Sequence, residues 1–249
     1  MQRYFISQPI VENQQELPNE IYHNVKNVMR QKVGGQFELA DGKSAFVATI
    51  VSLNETLIVT LDHKISEEKE MPVHFTIACG FPKGEKLEFI AQKVTELGAA
   101  ALIAYPSATS VVKWNEQKLQ KKAERLKKIM QEASEQAHRT VVPAVTLFKS
   151  ANEFLDIFST FDFILVAYEE EAKRGEKSQL VKSLQQMPKD SQVLVIFGPE
   201  GGFTPAEIEN FLSLGAESMA LGPRIMRAET APMYVLSAAS FAFELGGLL

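Results

Sequence analysis

Three apolar runs in this chain end in residues suited to chemistry. MALGPRIMRAETAP (Met219–Pro232) passes Gly222-Pro223 and then presents Arg224, Arg227 and Glu229 before an apolar segment. Two guanidinium groups and a carboxylate among apolar elements must be paired or functional, because an unpartnered buried charge is too costly to keep. They can steady negative charge that develops on a reacting group, or form a local salt bridge that pins the loop. VLVIFGPEGGFTPAEIE (Val193–Glu209) ends its apolar run at Phe197 and continues through Gly198-Pro199-Glu200-Gly201-Gly202. Glycines this dense let a backbone approach a ligand closely; a tight turn with no ligand is the other reading. The segment lacks the Gly-Lys-Ser/Thr ending of a P-loop and the G-x-G-x-x-G of a dinucleotide site. FDFILVAYEEE (Phe161–Glu171) ends at Val166-Ala167-Tyr168 before three glutamates, which alone read as a solvated charge run.

Other chemistries are excluded by residue type. Cys79 is the single cysteine, so neither an intrachain disulfide nor a cysteine-based zinc cluster can form. It lies in HFTIACG and reads as a buried small hydrophobe. His23, His63, His74 and His138 show no H-x-x-x-H or H-E-x-x-H spacing, so no metal is expected. With 26 basic and 31 acidic residues the net charge is −5, which leaves no chain-wide basic footprint for nucleic acid. Local patches remain. From Ser110 to Arg139 there are eight basic residues (Lys113, Lys118, Lys121, Lys122, Arg125, Lys127, Lys128, Arg139) against four acids. This stripe is the best candidate for phosphate contact; a solvated helix face with i,i+4 pairs is the alternative. Trp114 beside it either stacks on a base or packs. A smaller cluster, His23, Lys26, Arg30 and Lys32, lies in the first 72 residues, where seven basic residues face ten acidic ones.

The elements that must position these residues fall into two groups. A chain of 249 residues is one large domain or two modest ones, at about 150 residues per domain. Up to residue 72, short β-rich pieces such as SAFVATIVSL and TLIVTL alternate with turns, as in a small barrel or sandwich, with one helix over Pro18–Arg30 stopped by Gly34-Gly35. From residue 73 to 249, strands alternate with helices. Strands are expected at VHFTIAC, AALIAYP, FDFILVA, VLVIFG and ESMALG. Helices are expected at Lys83–Leu97, Glu116–Ala137, Ser178–Met187 and Thr204–Leu214, and a last one at the C-terminus. Thr204, Pro205 and Glu207 form a capping box with proline at its first helical position. Strands this continuously apolar belong to a parallel sheet covered on both faces, an α/β architecture. Ligands bind such sheets beyond the carboxyl ends of the strands, where the three unusual runs end. Ala231–Leu249 carries only Glu244 as a charge and reads as a core or interface helix rather than a membrane span. MQRYFISQPI shows no signal peptide, so the chain is expected in the cytoplasm.

The pair GPEGGFTPAEIE and ALGPRIMRAETA resembles the RsmE family of SPOUT-class methyltransferases of small-subunit ribosomal RNA. The resemblance extends to RYF at Arg3–Phe5, HNVKNVMRQKVG at His23–Gly34, KGEKLEFIAQKVTELGA at Lys83–Ala99 and EASEQAHRTVVPAV at Glu132–Val145, and so covers essentially the whole chain. It implies an N-terminal PUA-like β-barrel that binds RNA (1–72) and a SPOUT domain (73–249) whose C-terminal half forms a trefoil knot. It implies that three loops hold S-adenosylmethionine: Val166, Ala167 and Tyr168; Phe197, Gly198, Pro199, Glu200, Gly201 and Gly202; Leu221, Gly222, Pro223, Ile225 and Met226. It implies methylation of uridine N3 in 16S rRNA near the decoding centre. For that reaction the N3–H proton must leave, and the charge spreading onto O2 and O4 calls for a cation. Arg227 is the candidate for that role, with Glu229 either holding it or accepting the proton. Arg3, His23, Lys26, Arg30, Lys113, Lys121, Lys122, Arg125, Gln136 and Arg139 are the candidates for RNA contact. Where the family more often has Gln-Ser-Gly-Arg, this chain has Gln136-Ala137-His138-Arg139.

The resemblance further implies a homodimer, for which the nearly apolar last helix offers a face. An acidic chain with only local basic patches points to the assembled small subunit, rather than stripped rRNA, as the substrate. Neither membrane nor metal partner is expected. Two other functions stay open: a related SPOUT enzyme acting on another RNA or atom, such as a ribose 2′-hydroxyl, and a non-catalytic ribosome-assembly factor.

Overall fold

The computed structural model describes residues 1–10, 14–173 and 178–246. Two compact units emerge: Met1–Glu70 together with Gln131–Val142, and Met71–Met130 together with Pro143–Leu249. The first therefore takes in residues 131–142, which a break at residue 72 assigns to the second. The reason is polar. Arg3 donates to the carbonyls of His138 and Arg139, and Glu70 accepts from the backbone of Thr140 and Val141.

The first unit is built on strands β1 (Arg3–Phe5), β2 (Gln14–Leu17), β3 (Gln36–Ala40), β4 (Ala45–Leu53) and β5 (Leu57–Lys64), in the order β1-β3-β4-β5-β2. Only the β1–β3 pair is parallel. Alternate residues of β2 are buried, the period that lets one face meet a core. The β4–β5 register shifts between Val47 and Ala48 and again between Ile50 and Ser52. Such bulges add local twist and curl a sheet around its own apolar face. That face holds Tyr4, Phe37, Leu39, Ile50, Leu57 and Val59, and Val25 packs into it. The expected helix over 18–30 is α1 (Asn19–His23), continued as a π-helical turn over Asn24–Val28.

The second unit contains β6 (His74–Gly80), α2 (Lys86–Glu96), β7 (Ala101–Tyr105), α3 (Glu116–Gln136, its last turns counted with the first unit), β8 (Ala144–Leu147) and α4 (Ala151–Leu155). It continues with β9 (Phe163–Ala167), α5 (Glu169–Lys173), α6 (Gln179–Gln186), β10 (Gln192–Phe197), α7 (Pro205–Ser213), β11 (Glu217–Met219) and α8 (Thr230–Phe243). Its sheet is wholly parallel, in the order β11-β9-β10-β6-β7-β8. From central β6 the chain builds outward through β7 to β8, then crosses to the other side for β9, β10 and β11. The carboxyl ends of those three strands are therefore neighbours, at the kind of switch point where open sheets bind ligands.

One sheet face is covered by an aromatic cluster in which Phe154 stacks on Tyr105 at 3.9 Å and meets Phe158 and Phe211 edge-on. Strands β6 and β10 are buried nearly throughout, as two covered faces require. Cys79 is fully enclosed, and burial pushes its thiol up to about 12. Glu169–Glu171, read alone as a solvated run, instead opens α5, where carboxylates suit the helix dipole; Glu170 and Glu171 are half-buried. Helix α8 has 14 residues, below the roughly 20 a membrane span needs. No helix among the described residues is long and apolar enough to cross a membrane. The last three residues of the apolar C-terminal stretch lie outside the described residues.

Candidate active site

The loops after β9, β10 and β11 enclose a cavity of about 830 Å³, within the range of small-molecule sites. From the first loop come Ala167 and Tyr168, from the second Phe197 through Phe203, and from the third Leu221 through Ala228. Lys86 of α2 and Ala231 of α8 complete the wall. Of the residues expected to hold a cofactor, Val166 alone is not in that wall: its side chain is buried in the sheet core.

The glycines act chiefly on the protein's own backbone. A Cβ on Gly198 would sit 3.0 Å from the Gly202 backbone, and one on Gly201 would sit 2.9 Å from Thr109 Cβ. Gly202 and Gly222 adopt φ of +67° and +89°, a region that glycine enters without strain. The sequence reading gave these glycines the task of leaving room for a ligand. In the structure Gly198 lets the loop after β10 fold on itself, and Gly201 lets it close on the loop after β7.

That closure has a polar lock. Glu207 Oε1 accepts from Ser107 Oγ at 2.8 Å and Ala108 N at 2.9 Å, while Oε2 accepts from Thr204 N at 2.9 Å. Thr109 Oγ1 donates to Gly202 O at 2.6 Å. Burial works to raise the Glu207 carboxyl, but the donors from Thr204, Ala108 and Ser107 outweigh it and hold the group below the usual carboxylate range. The capping glutamate read from the sequence thus also anchors the neighbouring loop.

The charged rim is ordered around Lys86. Its Nζ lies 2.9 Å from Glu200 Oε1 and 3.2 Å from Glu229 Oε2. The hydrogen bond that Lys86 donates to Glu200 is the main cause that raises its ammonium, with Glu229 adding to it. Burial opposes ionisation of Glu200 and Glu229, yet local backbone donors and Lys86 keep both below the usual range. Glu229 is therefore a carboxylate at neutral pH and a weak base. Arg227 stands exposed, its Nη1 4.0 Å from Glu229 Oε1. Its own carbonyl accepts from Thr230 and Ala231 N–H, so its backbone is fixed at the entrance to α8. Sequence reasoning missed Lys86 as a site residue, although it stands inside the quoted segment KGEKLEF.

The candidate RNA contacts divide. Lys113, Lys121 and Arg125 are exposed in the second unit, Arg125 Nε bonding Glu88 at 3.0 Å. Lys122 lies over the Trp114 ring at 4.8 Å, and Trp114 stacks on buried Phe81 at 4.2 Å, so the packing role holds for Trp114. In the first unit His23, Lys26, Arg30 and Gln136 are exposed, and Lys26 also donates to the Asn54 carbonyl at 3.2 Å. Arg3 and Arg139 correct the expectation: they are 1% and 3% exposed. Arg3 Nε bonds Glu38 at 2.8 Å and its Nη1 serves two carbonyls, while Arg139 is paired with Glu70. Both arginines are structural. His138 holds φ of +54° and bonds Glu38 Oε2 through Nδ1 at 2.7 Å. It holds, as a non-glycine, a left-handed backbone position that glycine enters without strain. Among the described residues no group of three His, Cys, Asp or Glu is arranged to hold a metal.

The family model described as an RNA methyltransferase domain matches residues 69–240. The ribosomal RNA small subunit methyltransferase E of Bacillus subtilis (strain 168) is 42% identical over 255 residues, covering 98% of each chain. The chain belongs to the ribosomal RNA small subunit methyltransferase E family. Two solved structures of similar fold were obtained with cofactor. The small subunit methyltransferase E of Neisseria gonorrhoeae, bound to S-adenosyl methionine, superposes with a TM-score of 0.83 at 26% identity, covering 98% of both chains. The methyltransferase Lpg2936 of Legionella pneumophila, in complex with bound SAM, gives 0.81 at 28% identity over 96% of this chain and 97% of that one. The mixed α/β architecture, with a curled N-terminal sheet and a six-stranded parallel sheet, is thus that of the methyltransferase E family.

Proposed function

We propose that this chain uses S-adenosylmethionine to methylate N3 of a uridine in 16S rRNA, near the decoding centre of the assembled small ribosomal subunit in the cytoplasm. The observation that carries the reading is the cavity built by the three strand-end loops, with Arg227 in its wall and Glu229 paired behind it with Lys86 and Arg227, in a chain of this family. The cavity fits the cofactor in kind. It has room for a nucleoside-sized molecule, apolar walls from Tyr168, Phe197, Leu221 and Met226, and carboxylates suited to a cationic ligand.

When bound, S-adenosylmethionine supplies a methyl group made electrophilic by a positive sulfur. The chain's own residues do the rest. Arg227, exposed and backbone-anchored, is free in its side chain to face the uracil oxygens. A cation there steadies the charge left when N3 loses its proton. The proton passes to solvent water, while Glu229, an ionised weak base, stays charged 4.0 Å from the Arg227 guanidinium without fixing it. Lys113, Lys121, Lys122, Arg125, His23, Lys26, Arg30 and Gln136 serve the RNA backbone. The N-terminal unit is read as the PUA-like RNA-binding domain and the C-terminal half as a trefoil knot, a reading supported by the strand order β11-β9-β10-β6. The homodimer is assigned to α8, where Tyr234 and Phe241 are 41% and 50% exposed two helical turns apart, and to Leu245 just past its end, 74% exposed.

The test uses small subunits from cells lacking this activity, methyl-labelled S-adenosylmethionine and nucleoside mass spectrometry. Label is expected in 3-methyluridine, with the rate down about 100-fold or more for Arg227→Ala. Label in another nucleoside would transfer the reading to a different target atom. No transfer with cofactor binding intact would favour a ribosome-assembly factor.

A further inference from the structure

Lys86 lies more than a hundred residues from Glu200 and from Glu229, yet one atom of it joins the two motifs that carry them. Its Nζ is 2.9 Å from Glu200, in the loop after β10, and 3.2 Å from Glu229, at the start of α8. Glu200 Oε1 also accepts from Lys83 N at 3.2 Å, so the residues leading into α2 grip that loop through side chain and backbone together. Glu229 Oε2 is buried, and no hydrogen bond of good geometry closes on it; the Lys86 cation is its compensation.

We propose that Lys86 is a positioning residue for methyl transfer, fixing the loop after β10 and the Arg227–Glu229 segment in one relation. This rests on the methyltransferase reading of the cavity. The coupling is electrostatic. Glu200 and Glu229 both lie within reach of a single nitrogen, and Glu85 adds a further carboxylate to the shallow groove that Lys86, Glu229, Phe89 and Met233 line on its other side. Without the ammonium these carboxylates face like charge, and Arg227 is the nearby cation left to Glu229. Glu229 then draws the guanidinium away from the reacting base, and the loop after β10 loses its tie to α2. The losses fall on alignment more than on RNA affinity, because Lys86 and both partners are only partly exposed, at 31%, 28% and 17%.

The experiment compares the full chain with Lys86→Met, Lys86→Arg, Glu229→Gln and the Lys86→Met/Glu229→Gln pair on small subunits. Lys86→Met is expected to lower kcat about 10- to 100-fold, with the KM for subunits within about twofold. Lys86→Arg is expected to restore most of kcat. The paired variant should lose less than the product of the two single losses, as partners in one contact do. The acid limb of kcat should move to higher pH in Lys86→Met, because Glu200 and Glu229 lose the cation that favours their ionised form. Other charged groups that line the cavity or the groove with Lys86 are Glu85, Glu169, Glu170, Arg224 and Arg227, which these variants leave in place. If Lys86→Met melts below the parent, Lys86→Gln serves in its place. A kcat within twofold of the parent, an unmoved acid limb or fully multiplicative losses would overturn the proposal. A parent chain that binds no S-adenosylmethionine would overturn the functional reading beneath it as well.

Discussion

A guanidinium taken out of water must be given acceptors, and Arg3 receives three: the Glu38 carboxylate and the carbonyls of His138 and Arg139. Removing it leaves Glu38 with His138 alone and takes the guanidinium donor from the two carbonyls just after α3. Arg3→Ala should therefore cost about 3–5 kcal/mol in urea unfolding. Glu38 adds a pH signature. Burial works to raise its carboxyl, but hydrogen bonds from His138 and Arg3 outweigh it and lower it. A carboxyl whose folded-state value is depressed stabilises the fold fully above its ordinary value, about 4.3, and loses that contribution as pH falls through the depressed one. The parent should lose stability across that acid window, and Arg3→Ala should lose less there. This corner also shows what sequence can and cannot reveal. The Gln136-Ala137-His138-Arg139 departure marked it as unusual. That Arg3 and Arg139 point inward was not legible, because arginine serves equally as a phosphate contact and as a buried pair, and only the tertiary partners decide.

Among the elements, α7 was readable because its signals are local: Thr204, Pro205 and Glu207 satisfy a helix start within four residues. The second task of Glu207, bonding Ser107 and Ala108, joins positions about a hundred residues apart and leaves no local pattern. Glu207→Ala removes both tasks. It should cost about 1–2 kcal/mol in thermal or urea unfolding and also weaken cofactor binding, whereas a cap elsewhere would affect stability alone. Strand β8 and helix α4 escaped the sequence reading for a different reason. With four and five residues they are too short to display a period, and packing rather than propensity holds them. Long, strongly patterned elements such as α2, α3, β6 and β10 were legible within a few residues at each end.

At the scale of the molecule, the strand order is the fact that sequence withholds. Alternating strands and helices announced a parallel sheet, but not that β10 inserts between β6 and β9 and so brings three loop motifs to one cavity. The motif pair GPEGG and RAETA supplied that knowledge only through the resemblance to a family. Association belongs to this scale too. Tyr234 and Phe241 on α8, with Leu245 just past its end, present the exposed apolar side chains to which the proposed homodimer is assigned. Phe241→Glu should convert a dimer into a monomer in light scattering, while a parent that is already monomeric would remove the assignment. The central claim is that the cavity between the loops after β9, β10 and β11 takes S-adenosylmethionine. Its most direct test is calorimetric titration of that compound into the purified chain and into Gly201→Val, whose side chain would collide with Thr109. One binding event per chain in the parent, strongly weakened in a folded Gly201→Val, is the predicted result. No binding by the parent, or equal binding by both proteins, would contradict the account.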